Sequence, residues 1–180
     1  QIMTTHNPEK AASTNEGLLA LLGQPEMGKT IGRGLLEALG GGIPLAPGAV
    51  CFRGNMATIQ ADGILADRRA GRIRAGVEDL LIDLQDVKLP GGIRGRIFAG
   101  HEHRVIVVLQ GAGLSSKVSD TDPGGEAMVQ RMLVPEPLDQ TPEAGRTTDA
   151  LQAMLQHART VLGAHPLNQR RRVQGEFPAN

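Results

Sequence analysis

Arginine carries most of the chemistry this chain has to offer. It supplies 15 of the 19 basic residues, and Arg53, Arg68, Arg69, Arg72 and Arg74 fall between positions 50 and 74 against only Asp62 and Asp67, a local charge of +3. Guanidinium groups grip phosphate or carboxylate oxygens in pairs, through a rigid fork that a compact ammonium lacks. On a strand, Arg53 and Asn55 share a face. Arg68, Arg69 and Arg72 come at or just after the return strand, where alternation lets only one of Arg68 and Arg69 face a common cleft. Arg104 lies on a later strand expected in the same sheet. A substrate with a phosphate and a carboxylate presents about three negative charges, and each charge-assisted contact is worth roughly 1.5–3 kcal/mol, so two or three fixed arginines suffice. A solvated basic hairpin is the plainer reading of the same charge, and the residues alone leave both open.

Other groups are weaker candidates. Asp120 and Asp122, separated by Thr121, could bind a divalent cation, cap a helix or orient arginines. His101 and His103 alternate onto one face, but no Cys, Asp or third His arrives at metal-ligand spacing, which favours hydrogen-bonding roles. Residues 23–30, GQPEMGKT, fit the GxxxxGK[ST] phosphate-loop spacing after the apolar run 18–22. Such a loop needs a helix opening at Lys29-Thr30, yet Gly32 and Gly34 would sit in its first turns at a cost of about 1 kcal/mol each. No apolar strand ending in a magnesium-binding Asp follows. Nucleotide binding is therefore kept only as an alternative.

The elements that must position these residues follow from periodicity and turn signals. Leu35, Leu36 and Leu39 give one apolar helical turn, which Gly40, Gly41 and Gly42 stop. Residues 50–59 suit a strand, Asp62-Gly63 closes a hairpin, and 64–68 return. Val77, Leu80, Leu81 and Leu84 recur at helical spacing, predicting an amphipathic helix over 75–85. Residues 93–98 form a further strand. Residues 101–109 place Val105, Val107 and Leu109 on one face and Arg104, Ile106 and Val108 on the other, the pattern of a central strand. Prolines 123, 135, 137 and 142 mark an extended connection within an acidic stretch, and Thr141-Pro142-Glu143 opens a long helix ended by Gly163. Arg170, Arg171 and Arg172 read as a solvated run. The expected fold is α/β of the α+β type: a mixed, largely antiparallel sheet with the 75 and 150 helices packed on one face.

Composition narrows the function classes. With 180 residues, 40% of them hydrophobic, the chain can build one core. Its net charge is zero and its only aromatics are three phenylalanines, so base stacking has little to work with and nucleic acid is not an expected partner. The single cysteine, Cys51, reads as a core residue and fits a reducing compartment. No apolar run approaches the roughly 20 residues of a membrane span, and no signal-peptide pattern opens the chain. A cytoplasmic protein without a membrane partner is expected. Residues 1–15 are polar and aperiodic and read as a flexible lead-in.

The strings GRGLLEALG, PGAVCFRGNMATI and DRRAGRI, then EHRVIVVLQGAGLS, VSDTDP and HPLNQRRRVQGEFPAN, resemble, in order, the archaeal-type cofactor-independent phosphoglycerate mutases of the alkaline phosphatase superfamily. The resemblance implies an isomerase of glycolysis and gluconeogenesis that interconverts 2- and 3-phosphoglycerate. It implies a phosphatase domain holding two divalent metal ions, manganese or magnesium, and an inserted domain that binds and re-presents phosphoglycerate. This chain resembles the inserted domain: a lead-in over 1–17, a connecting segment over 18–45, the inserted domain over 46–165, and a return segment over 166–180. On this view the metal ligands lie outside the chain, in a missing phosphatase domain or chain, and no metal site is expected here. The resemblance places Thr14 at the family's serine nucleophile position; a threonine hydroxyl can attack phosphorus but is poor without a metal to activate it. It places Arg53, Asn55, Arg68, Arg69, Arg72, Arg104, Asp120 and Asp122 around the substrate. The alternative is an inactive remnant that serves as a phosphate-ligand binding or interaction module.

Overall fold

Apolar side chains on both faces put residues 104–110 in the interior of a sheet, and the fold is built outward from them. The structure is a computed structural model, which describes residues 14–124 and 130–180. Three short helices come first: α1 (Thr14–Leu21), α2 (Pro25–Thr30) and α3 (Arg33–Gly40). The strands are β1 (Val50–Asn55), β2 (Thr58–Ile59), β3 (Leu65–Asp67), β4 (Val87–Leu89), β5 (Ile93–Ala99) and β6 (Arg104–Gln110). The short α4 (Val77–Leu81) precedes β4, while α5 (Pro142–Ala164) and α6 (Pro166–Val173) close the chain. β1, β6, β5 and β4 make a four-stranded sheet in that order, and every pairing in it is antiparallel; β2 and β3 form a separate hairpin.

The two faces of β6 bury different layers. Val105, Val107 and Leu109 join Leu80, Leu81, Leu84, Leu151 and Met154, so α4 and α5 cover that face. Ile106 and Val108 meet Ala38 of α3 on the other. The contact of α3 with the sheet differs from the expected leucine stripe: its buried residues are Gly34 and Ala38, and Leu39 is exposed. A Cβ at Gly34 would lie 2.3 Å from the Cys51 carbonyl oxygen, so the missing side chain is what lets the helix lie against β1.

Three other expectations are corrected. Residues 50–59 are two strands, not one: the Met56 N–H adds a last rung to the β1–β6 ladder, bonding the His103 carbonyl at 2.7 Å, and Thr58 and Ile59 then pair with β3 instead of β6. The 75–85 helix is the five-residue α4 followed by a 3₁₀ turn over Ile82–Leu84. The long helix passes through Gly163 to Ala164 and stops at His165, which takes the extended conformation that a following proline requires. The Thr141 cap is as expected, its hydroxyl accepting from the Ala144 N–H, and Asp62-Gly63 turns the β2–β3 hairpin with Gly63 at φ 86°.

After α6 the chain returns to this hairpin. Asn168 is fully buried; its amide donates to the Leu162 and Ala179 carbonyls and accepts from the Ala179 N–H. The Asn180 side chain bonds both the N–H and the carbonyl of Ile59, at 3.1 and 3.0 Å. The Thr58 hydroxyl donates to the Pro178 carbonyl. No helix among the described residues is long and apolar enough to cross a membrane.

Candidate anion-binding site

Register fixes the first part of the site. Arg53 lies opposite Ile106 and Asn55 opposite Arg104, and directly paired residues of an antiparallel ladder share a face. Arg53, Asn55 and Arg104 therefore project from the α3 side of the sheet edge. Glu37 of α3 meets them there, its carboxylate 2.7 Å from Arg53 Nε and 4.0 Å from an Arg104 terminal nitrogen. The 2.7 Å approach is a charge contact and not an aligned hydrogen bond, since the Arg53 Nε–H has no acceptor in hydrogen-bonding geometry among the described residues. Burial is the main force lowering the Arg53 pKa; Glu37 opposes it, while Arg104 and Arg33 add to it. The guanidinium stays charged throughout the physiological range.

His103 lies beside this group. It is buried, its Nδ1 has no hydrogen-bond partner among the described residues, and Glu102 approaches only to 3.9 Å. Burial first, then the positive charges of Arg69 and Arg104, push its pKa below the usual histidine range, with Glu102 opposing and Arg53 adding. The ring is neutral at pH 7, among at least three guanidinium groups.

The hairpin supplies the rest. Asp67 Oδ1 accepts from the Arg69 and Gly71 N–H groups at 2.8 and 2.9 Å, and so winds the chain into a tight turn. Ala70, Gly71 and Arg72 all have positive φ, at 45°, 64° and 57°. Arg68 pairs with Asp122, whose Oδ1 also accepts from the Gly124 N–H at 3.0 Å. Burial raises the Asp122 pKa, but these hydrogen bonds and the Arg68 charge outweigh it and hold the carboxyl below its usual value. Between the hairpin, the sheet edge and α5, on the Val105 and Val107 face, lies a cleft of about 360 Å³, with Arg68, Asp120 and Asp122 at its wall, Met56, Leu65 and Val105 among its apolar lining, and Arg53 and Asn55 where the edge of β1 borders it.

Of the residues singled out in the sequence, Arg53, Asn55, Arg68, Asp120 and Asp122 line this cleft. Arg69 and Arg104 sit close enough to His103 to depress its pKa, while Arg68 pairs with Asp122 at the cleft. Arg72 is exposed on the turn. Thr14 opens α1, and its side chain lies outside the described residues. Glu37 and Arg33 were missed; their spacing of four on a glycine-flanked helix was the available signal. Arg159 was missed too: it lines the cleft and donates to the Gln60 carbonyl.

Arg171 corrects the expectation of a solvated arginine run. Its side chain is 15% exposed and bonds Glu176, the Phe177 carbonyl and the Ala70 carbonyl. The nucleotide alternative also fails structurally. Residues 18–21 are helical, α2 ends at Thr30 where a phosphate loop would begin its helix, and the sheet is antiparallel. Among the described residues no three His, Cys, Asp or Glu side chains converge as a metal ion needs. The donor set for the metals implied by the resemblance does not fit these residues.

Fold and charge together define an α+β domain whose sheet edge gathers guanidinium groups around a partly apolar cleft. The family model for 2,3-bisphosphoglycerate-independent phosphoglycerate mutase matches residues 2–168. A relative of that name from Saccharolobus islandicus is 44% identical over 150 residues, covering 83% of this chain and 36% of the relative. One from Metallosphaera sedula is 38% identical over 180 residues, covering 99% and 43%. The solved cofactor-independent phosphoglycerate mutase from Thermoplasma acidophilum superposes with a TM-score of 0.72 at 38% identity, over 83% of this chain and 39% of that one. The chain belongs to the 2,3-bisphosphoglycerate-independent phosphoglycerate mutase family, and it spans less than half the length of these relatives.

Proposed function

We propose that this chain is the substrate-holding part of a phosphoglycerate mutase, gripping phosphoglycerate while its phosphoryl group moves between the two hydroxyl positions. The observation that carries the reading is the pair of buried nitrogens, Arg53 Nε and His103 Nδ1, without aligned partners among the described residues, set among the charges of Arg33, Arg53, Arg69 and Arg104. Buried polar groups are normally satisfied, and a ligand rich in anionic oxygens satisfies these. Glu37 and Glu102 offset only part of the positive charge, and a three-carbon phosphate carboxylate offsets the rest.

In this reading residues 46–165 form the inserted substrate domain, with 18–45 and 166–180 as its connections. Arg53 and Arg104 hold one anionic end, Arg69 approaches from the turn, and Arg68 is kept in place by Asp122. The metal ions that drive phosphoryl transfer belong to the remaining length that the relatives possess, and without them Thr14, at the nucleophile position by resemblance, is a poor nucleophile. Phosphoglycerate binding without turnover is then the property of the 180-residue chain.

A thermal-shift titration with 3-phosphoglycerate tests this. The unaltered chain is protected, Arg53→Ala and Arg104→Ala lose the protection, and Arg94→Ala keeps it, because Arg94 pairs with Asp86 on the far strand pair. Equal responses from all three variants mean diffuse attraction, and the site assignment fails.

A further inference from the structure

We propose that Arg171 is a positioning residue for the anion site: its guanidinium holds the turn that presents Arg68 and Arg69 by fastening it to residues 176–180. The inference rests on the substrate-holding reading above, but its structural basis is separate.

The turn is a conformation the chain does not adopt unaided. Three consecutive residues have positive φ, and two of them, Ala70 and Arg72, carry side chains. Such backbone persists only where its surroundings over-determine it. Asp67 holds it from within, through the Arg69 and Gly71 N–H groups. Arg171 holds it from outside. Each of its guanidinium nitrogens has a different partner: Nη2 donates to the Ala70 carbonyl at 3.1 Å, Nε to the Phe177 carbonyl at 2.9 Å, and Nη1 pairs with Glu176 at 2.9 Å. Only the planar fork of arginine can serve three acceptors in these directions.

Packing follows the same line. Ala70 is fully buried, and the Phe177 side chain lies 3.5 Å from where a Cβ of Gly71 would stand. Residues 176–180 then run on to β2, where Pro178 and Asn180 bond Thr58 and Ile59. One segment thus grips the hairpin at β2 and at the turn, and fixes where the turn's arginines point. Arg68 meets Asp122 at the cleft, and Arg69 lies within electrostatic reach of His103. Arg171 itself touches neither the cleft nor His103, so it acts through the backbone.

The test uses the 180-residue chain, with calorimetric titration of 3-phosphoglycerate and amide hydrogen exchange at Arg69 and Gly71. Arg171→Ala is expected to weaken binding about tenfold or more and to speed exchange at both amides, with Arg171→Lys falling between it and the unaltered chain. Met154→Ala, a core change where α5 packs on β5, lowers global stability while leaving affinity within twofold. Arg171→Gln, which keeps part of the bulk but has one amide group in place of the charged fork, replaces the alanine variant if that one does not fold. The proposal is overturned if Arg171→Ala binds as the unaltered chain does, or if Met154→Ala weakens binding as much. Should the unaltered chain not bind, the substrate-holding reading has failed, and exchange at Arg69 and Gly71 still decides whether Arg171 holds the turn.

Discussion

Gly34→Ala sets two physical effects against each other. By helix propensity alone, alanine in place of a helical glycine stabilises by up to about 1 kcal/mol, and by less in the first turn, where Gly34 stands. The packing says the opposite. The new methyl would stand 2.3 Å from the Cys51 carbonyl oxygen, 2.6 Å from its carbon and 2.8 Å from the Phe52 carbonyl carbon. All three are backbone atoms of β1, so no flexible side chain can give way. Restoring even a 3.0 Å contact moves α3 off the sheet by roughly 0.7 Å, which loosens Ala38 against Ile106 and Val108 and draws Glu37 away from Arg53. Overpacking of this kind costs about 1–3 kcal/mol, and the rigid partners put this site at the upper end, leaving a net loss of about 2 kcal/mol. Urea unfolding of the variant measures it directly. A stability equal to or above that of the unaltered chain would refute the packing argument and leave propensity in charge.

Two further outcomes follow from particular side chains. Met154 is fully buried beneath β5, and Met154→Ala should cost about 2–5 kcal/mol by urea unfolding; a loss under 1 kcal/mol would mean α5 does not seal that face. Because the folded-state pKa of His103 is lowered, the native state resists a proton that the unfolded chain takes up near pH 6.5. Its stabilising contribution is complete above that pH and is lost as pH falls through it towards the lower folded value. His103→Gln should flatten the stability profile between pH 7 and pH 5, and an unchanged slope would show that His103 does not resist protonation. A bound anion counteracts the surrounding arginines, so phosphoglycerate binding near pH 6 should take up protons, read from titrations in buffers of different ionisation enthalpy.

The parts of the fold legible in the sequence are those where one element's own residues decide its state. β6 carries apolar side chains at both alternations and is interior; Thr141-Pro142 caps α5 with its own hydroxyl; Asp62-Gly63 turns a hairpin with local bonds. What was not legible depends on distant partners. The leucines of α3 suggested its buried face, but the approach of the β1 backbone selects Gly34 and Ala38 instead. The division of 50–59 into two strands comes from a change of partner, from β6 for residues 50–55 to the β3 return strand for Thr58 and Ile59. At the site, the arginines were identifiable by type and spacing, whereas their counter-charge was assigned to Asp120 and Asp122 and only half found there. Asp122 pairs with Arg68, while Glu37 on α3 serves Arg53 and Arg104. Arg171 looked like one charge of a solvated run because its carbonyl partner at Ala70 lies 101 residues earlier.

Calorimetric titration of 3-phosphoglycerate into the 180-residue chain, repeated with Arg53→Ala and with Arg104→Ala, tests the central claim most directly. Saturable binding at one site is expected, weakened at least about tenfold by either substitution, as the loss of one charge-assisted contact of roughly 1.5–3 kcal/mol requires. No binding by the unaltered chain, or the same affinity in both variants, would contradict it.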